Sequence, residues 1–583
     1  MAQVSLDDVL RKVHELSGDH VDADAPLLES GLDSVGAAEL GNQLQQQTGE
    51  ELPATLIFDH PTARQLAGYL QRLGVETGRP SDTPAGVHGA ASARVCGLAL
   101  SARLPAGPRS AADVSRAARC GADLVCDALL ERGAAADGLK LDGMPREAAL
   151  RVRHGGLLLD IDLFDAHCFR ISPAEAAAAD PQQRLLLEVG YEALHGGGSA
   201  RLQLLGSLTG VFVAIAASDW AEVVKDSPLA HSAYAATGSP HSIASGRIAF
   251  ALGLHGPCIS LDTACSAALC ACHICNRALQ LEECALGLVA AVNLILLPAA
   301  SIACALAGMT SARGHCHTFD QRADGYVRGE AVGGAAMQCT SAPVRPAFTA
   351  LASCVRQDGR SASLTAPNGQ AQRALLRTAL NSAGLVSERL ESAEAHGTGT
   401  ALGDPIEMAA LRGAVLEDGH ERAYTLVVAS IKACAGHAEP AAGASGLIRL
   451  APALAQGFVS PNAMLRVLNG HVDAALKDTL LGLPVQLCPR QARSGPCVGG
   501  VSSFGYSGTI AHALCEGASA AIINSQNETT SIRYTRRRFS WSTAPHPFGR
   551  EMGAGSSADV QAMRSPMIGP LYTAVADHVV QGR

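Results

Sequence analysis

Three side chains stand in settings that suit nucleophilic chemistry. Cys265 lies in Leu261-Asp262-Thr263-Ala264-Cys265-Ser266-Ala267-Ala268, between an apolar run (Cys258 to Leu261) and a long small-residue helical pattern (Ala267 to Leu281). The thiol is therefore expected where a buried strand hands over to a buried helix. Unpaired N–H groups and the positive end of the helix dipole favour the thiolate there, the form that attacks carbon. His396 lies in Glu394-Ala395-His396-Gly397-Thr398-Gly399-Thr400, and His437 in Ala435-Gly436-His437-Ala438-Glu439. Glycine lets backbone approach a bound molecule closely, and loops carry reactive groups at the mouth of a scaffold. A single free cysteine is more often buried and structural. A cysteine at a helix start with two glycine-framed histidines points instead to thiol chemistry assisted by imidazole. Ser34, in Gly31-Leu32-Asp33-Ser34, is a fourth candidate. It is either an N-cap, a role Ser fills well, or an attachment hydroxyl whose phosphodiester would meet free N–H donors at a helix start.

Composition bounds the scaffold that must position these groups. A chain of 583 residues holds more than one domain and buries a large core. Hydrophobic residues make up 48% and aromatics only 4%, so Ala, Leu and Val must pack that core. A net charge of −9 argues against nucleic-acid binding. Residues 1–75 hold twelve acidic and four basic side chains, so nearly all the excess lies in a small acidic module suited to basic partner surfaces. Eighteen scattered cysteines read as reduced thiols of a cytoplasmic protein, and Asp7 and Asp8 interrupt any signal-peptide run. Ala285 to Met309 carries no charge and is long enough to cross a bilayer. Asn293 and Pro298 break it, so a buried strand (Leu286 to Leu297) and a helix (Pro298 to Leu306) are expected, with no membrane span.

The chain divides in order. Residues 1–75 read as a small helical module, with Leu40 and Leu44, then Leu66 and Leu70, at helical spacing. Residues 76–93 are a Pro-, Gly- and Ser-rich linker. Residues 94–516 alternate strand and helix patterns, as α/β proteins do. Expected strands include Val95–Leu100, Gly210–Ala216, Cys258–Leu261, Tyr424–Ala429 and Cys497–Ser502. Expected helices include Ala174–Leu194, Ser242–Leu252, Ser266–Leu281, Gly369–Ala383, Pro405–Leu416 and Ala441–Gln456.

Gly31-Leu32-Asp33-Ser34 followed by Phe58-Asp59-His60-Pro61-Thr62 resembles an acyl carrier protein. The resemblance implies a four-helix bundle with 4′-phosphopantetheine on Ser34, attached by a phosphopantetheinyl transferase. The 94–516 stretch resembles the β-ketoacyl synthase of polyketide and fatty acid synthases. It does so through Asp180-Pro181-Gln182-Gln183-Arg184-Leu185, Asp262-Thr263-Ala264-Cys265-Ser266, Phe319-Asp320 with Ala323-Asp324-Gly325-Tyr326, His396-Gly397-Thr398-Gly399-Thr400, Gly436-His437 and Ser502-Ser503-Phe504-Gly505. The resemblance implies the αβαβα thiolase fold and a homodimer. It makes Cys265 the acylated nucleophile and His396 and His437 its partners. Lys432 would hold the electrostatics, and Thr398 and Thr400 the pantetheine arm. The N–H groups of Cys265 and Phe504 would form the oxyanion hole, with the Phe504 ring as a gate. The implied reaction is decarboxylative condensation of an acyl thioester with a malonyl-type thioester, without a metal.

The chain departs from that pattern in places. Ile510 replaces the usual Asn before Ala-His, Ala331 replaces a Gly after Gly329-Glu330, and residues 104–150 lack the usual tryptophan landmark. Residues 517–550 resemble a post-synthase linker, including an arginine run, Arg536-Arg537-Arg538, expected to be solvated and structural. That stretch is too short for an acyltransferase domain, which is expected to act in trans, beside other synthase modules. Residues 551–583, with His578 and Gly582, resemble the truncated start of a dehydratase. Three alternatives stay open: a synthase that only transfers acyl chains, a fatty acid synthase component, and a cysteine protease, since 131 residues separate Cys265 from His396. Cys272 and Cys275, spaced C-x-x-C on the helix after Cys265, lack a second ligand pair for zinc.

Overall fold

The first helix is set by its cap. Ser5 Oγ accepts the Asp8 N–H and the Asp8 carboxylate accepts the Ser5 N–H in return, so α1 (Leu6–Ser17) starts on a reciprocal capping box and stops at Gly18, φ +79°. Three more helices complete the expected bundle: α2 (Ser34–Thr48), α3 (Leu56–Asp59) and α4 (Ala63–Leu73). Val9, Val13, Leu40, Leu44, Leu66 and Leu70 share one core. Ser34 is the first residue of α2. The structure is a computed structural model. It describes residues 4–18, 21–27, 32, 34–48, 52, 56–73, 94–128, 145–225, 227–340, 346–416, 422–477, 479–489, 495–518 and 532–539.

The large domain is built on eleven strands: β1 (Arg94–Arg103), β2 (Thr209–Ala214), β3 (Cys258–Leu261), β4 (Leu286–Asn293), β5 (Ala331–Thr340), β6 (Phe348–Gln357), β7 (Leu390–Glu394), β8 (Leu426–Ala429), β9 (Leu481–Gly482), β10 (Val498–Phe504) and β11 (Thr509–Gly517). They join in the order β9-β8-β7-β10-β11-β6-β1-β5-β4-β2-β3. Each half repeats one topology. In the first, β3-β2-β4 are parallel and continue antiparallel into β5 and β1; in the second, β8-β7-β10 are parallel and continue into β11 and β6. The halves meet antiparallel at β1 and β6.

Helices α5 (Pro181–Gly196) and α6 (His241–Leu252) cover the first half; α7 (Ala267–Gln280) follows β3 into the centre; α8 (Ala299–Leu306) lies beyond β4; α9 (Gly369–Ser382) and α10 (Gly403–Leu416) cover the second half; α11 (Ala442–Gln456) pairs with α7. Both central helices touch strands of both halves, which gives the expected αβαβα layering.

Several expectations need correction. The Ala174–Leu194 helix is two helices, because Asp180 caps α5 and Pro181 opens it; a separate helix spans Pro173–Ala178. β3 is not buried: it is an open edge of the sheet, with Cys258 and Ile259 exposed. β5, β6, β7, β9 and β11 were not foreseen, and β5 shows why. Its Ala331-Val332-Gly333-Gly334-Ala335-Ala336 run has no apolar period, because it lies beneath helices on both faces. A Cβ on Gly333 would come within 2.9 Å of Ile448 on α11, and one on Gly334 within 3.2 Å of Val189 on α5. Ile510 is buried in β11, paired in register with Phe504, so the missing Asn is replaced by core packing.

The uncharged 285–309 stretch folds as β4 and α8, and among the described residues no helix is long and apolar enough to cross a membrane. The cysteines stand as thiols rather than disulfides, and Cys272 and Cys275 are buried in the central layer.

Residues 532–539 strap across the first half. The Arg536 guanidinium pairs with the buried Glu188 at 2.8 Å, the Tyr534 hydroxyl donates to the Glu188 carbonyl, and Arg538 pairs with Asp162 at 3.0 Å. The arginine run is thus only partly solvated: Arg537 and Arg538 are exposed, whereas Arg536 is tied down. Residues 540–583, with the dehydratase-like His578 and Gly582, lie outside the described residues, as do linker residues 76–93.

Candidate active site

The nucleophile sits at the carboxyl end of β3, on a turn held from several sides. Asp262 Oδ1 accepts the Ala264 N–H at 2.7 Å, which fixes Ala264 at φ +53°. A side chain in that left-handed region costs on the order of 1 kcal/mol. Ser266 Oγ donates to the Thr263 carbonyl at 2.8 Å, and Ser503 Oγ, from β10, donates to the Cys265 carbonyl at 2.5 Å. Gly505 lets β10 close on this turn: a Cβ there would lie 2.6 Å from the Thr263 carbonyl oxygen.

Two imidazoles reach this position from the second half. His437 Nε2 is 3.0 Å from Cys265 Sγ. Its Nδ1 accepts the Glu439 N–H at 3.2 Å, so the ring proton resides on Nε2 and points at the sulfur. His396 Nδ1 accepts the Phe504 N–H at 3.3 Å, which leaves its proton on Nε2 as well. The two rings are perpendicular, with centroids 5.5 Å apart, and the Phe504 ring lies 5.4 Å from that of His396.

Buried carboxylates hold the histidine loop. Glu407 accepts the N–H groups of His396 and Gly397 at 2.7 and 2.8 Å. Asp404 accepts those of Gly399 and Phe319 at 3.1 and 2.8 Å. Glu394 pairs with Arg449 at 2.6 Å and accepts the Ile431 N–H. Lys432 is buried among these three acids and lowers the proton affinity of each. Thr398 is buried on the same loop, its hydroxyl 3.4 Å from that of Thr400.

Electrostatics revise the thiolate expectation. Burial, aided by the Glu439 carboxylate, pushes the Cys265 thiol up to about 12. Lys432 and the backbone N–H groups of Tyr506 and Cys265 pull the other way without winning. Burial, then Lys432, holds both imidazoles well below the ordinary histidine value, so they are neutral at pH 7. Burial raises Glu407 to about 7 and Asp404 to about 6.

Cys265, His396, His437, Phe504 and Lys432 therefore converge, and Thr398 and Thr400 lie on the His396 loop. Ser34 stands apart, in the small bundle. Sequence reasoning missed Tyr506, whose N–H joins that of Cys265 at the sulfur while the Phe504 N–H is engaged by His396. It also passed over Asp404 and Glu407, although two acids opening a helix after a glycine-rich loop were a readable signal.

Comparison with known proteins agrees with this geometry. Residues 93–341 match the beta-ketoacyl synthase N-terminal domain and residues 348–466 its C-terminal domain. Residues 5–70 match the phosphopantetheine attachment site. The chain belongs to the β-ketoacyl synthase family, with a carrier domain preceding the synthase.

Among solved structures it is similar to the oxazolomycin ketosynthase domain OzmH KS7 of Streptomyces albus JA3453, with 30% identity, TM-score 0.67, and 73% of this chain and 74% of that one covered. It is also similar to the ketosynthase from module 6 of the bacillaene synthase of Bacillus subtilis 168, with 29% identity, TM-score 0.64, and 73% and 72% covered. Curated relatives include polyketide synthase GfsB of Streptomyces halstedii, 38% identical over 84% of this chain, and the pikromycin polyketide synthase component PikAII of Streptomyces venezuelae, 36% identical over 86%. These relatives and structures are named as polyketide synthase components and ketosynthase domains. The chain spans 9% and 14% of the length of those two relatives.

Proposed function

We propose that this chain forms a carbon–carbon bond between an acyl group held on Cys265 and a malonyl-type extender. The observation that carries this reading is the His437 Nε2–Cys265 Sγ distance of 3.0 Å, with a second neutral imidazole beside it. In the first step Cys265 sulfur attacks the incoming thioester carbonyl. The thiol proton ends on the departing thiol, so bonds made and broken balance. N–H donors at the sulfur stabilise the tetrahedral oxygen. In the second step the extender loses CO₂ and negative charge builds on its thioester oxygen. The Nε2–H groups of His396 and His437 are the donors available to hold it. The extender's carbon then attacks the Cys265 thioester and frees the sulfur. Neutral imidazoles suit this role, because it needs N–H donors that have not given up their proton.

Ser34 fits as the site of 4′-phosphopantetheine: it opens a helix of 15 residues, whose first-turn N–H groups have no partners within the helix. That arm, when bound, supplies the thiol that carries acyl groups as thioesters. Thr398 and Thr400, on the His396 loop, would hydrogen-bond it. A phosphopantetheinyl transferase, an acyltransferase in trans, neighbouring modules and a cytoplasmic setting complete the proposal. A homodimer is supported by the open β3 edge with its exposed Ile259, and by Phe250, 90% exposed on the helix α6 that packs on β3.

Incubation of the full chain with acyl- and malonyl-carrier thioesters tests the reading. Intact mass should show acylation at Cys265, and labelled malonyl-carrier should release CO₂. Acylation without CO₂ release would establish the transfer-only alternative instead. The protease alternative is set aside by family membership.

A further inference from the structure

We infer that Arg328 and Glu439 form a positioning pair that fixes the His437 tautomer. This rests on the reading above of His437 as the partner of Cys265. Glu439 has φ +46°, in the left-handed region, although it carries a side chain and precedes Pro440, which biases its predecessor toward extended backbone. Its side chain supplies the restraint. Arg328 Nε and Nη2 donate to the two carboxylate oxygens, the second at 2.9 Å, and Arg328 Nη1 donates to Ser301 Oγ at 2.7 Å. Arg328 is buried and the Glu439 side chain is 20% exposed. The same stretch grips His437 by its backbone: the His437 N–H donates to Val327 O at 2.7 Å, and the Gly329 N–H donates to His437 O at 2.8 Å. The left-handed turn aims the Glu439 N–H at His437 Nδ1, which leaves Nε2–H for the sulfur. The ion pair thus acts on the sulfur through one backbone N–H and one imidazole.

The charged and titratable groups facing this unit are known. Lys432, Arg328, Tyr326 and His396 face His437. Asp219, Tyr326, Tyr506 and Cys265 face Glu439. Glu439 as a charge alone raises the Cys265 thiol, so removing it should make the thiol more acidic. Positioning has the opposite sign, since losing a donor to the thiolate makes the thiol less acidic.

The test is the rate of Cys265 alkylation by iodoacetamide at pH 8, followed by peptide mass on the full chain, with CO₂ release from malonyl-carrier measured in parallel. Glu439→Ala should slow alkylation on the order of tenfold and slow CO₂ release by as much or more. Glu439→Gln, which still reaches Arg328 but lacks the charge, should alkylate at least as fast as the unsubstituted chain. An alkylation rate unchanged or raised in Glu439→Ala overturns the inference, as does a Glu439→Gln chain slowed as much. Where Glu439→Ala does not fold, Arg328→Lys decides: slower alkylation supports the pair and an unchanged or faster rate refutes it. Failure of the unsubstituted chain to acylate Cys265 would instead sink the underlying reading.

Discussion

Cys265 and His437 occupy equivalent places in the repeated halves: each follows the third strand of its half, β3 or β8, and each precedes a central helix, α7 or α11. They are held by different means. The cysteine turn is fixed by small residues, through bonds from Asp262 and Ser266 within it and through Ser503 and Gly505 closing on it from β10. The histidine side is fixed by ionisable groups: the buried Glu394, Asp404 and Glu407, within 11 residues of His396, and the Arg328–Glu439 pair beside His437. A nucleophile needs a place, which backbone geometry supplies. A neutral imidazole that must present one chosen N–H also needs a defined tautomer, and hydrogen-bond partners supply that.

Substitutions separate the two cases, the largest effect first. Cys265→Ala should abolish the acyl adduct and lower condensation by on the order of 10⁴, seen as loss of the mass shift with the thermal midpoint retained. His437→Ala should break the symmetry of outcome, with acylation still detectable while CO₂ release falls roughly 10²–10³-fold, as for loss of one preorganised donor.

Glu407 sharpens the contrast through pH. Its folded value, about 7, lies above its ordinary 4.5, so the unfolded chain releases this proton first. Its contribution to stability is full below about 4.5 and falls until about 7, by at most about 3 kcal/mol. Glu407→Gln should flatten that slope in urea unfolding followed from pH 4.5 to 7. Gly505→Ala has the smallest expected effect: the new Cβ must push against the Thr263 carbonyl, costing about 1–3 kcal/mol. A lower thermal midpoint with slower acylation would register it.

The sequence exposed the two sides unequally. Cys265 was legible because strand pattern, nucleophile and helix pattern are contiguous, and six expected helices lie within two residues of their place. His396 and His437 were legible as glycine-framed rings. Their tautomers were not, because the Phe504 N–H that sets His396 lies 108 residues away and Arg328 reaches Glu439 across 111 residues, and only folding brings these groups together. The thiol's protonation was misjudged for a related reason. Dipole arguments are local, whereas desolvation depends on everything packed around the sulfur. Among the strands, β5 escaped because alanine and glycine carry no pattern when both faces are covered. The Arg536–Glu188 contact escaped because an arginine run looks the same whether one member or none is anchored.

The unclosed margin at β3 has a consequence for how this molecule can be controlled. Its last residue, Leu261, is four positions from the sulfur, and its outer N–H and C=O groups are unclaimed by the rest of the sheet. Whatever strand lies along that margin gains a lever on the nucleophile without entering the substrate path. If a second copy supplies that strand, turnover per chain should rise with chain concentration, and a short peptide cut to the same register should act as an inhibitor that no substrate can outcompete.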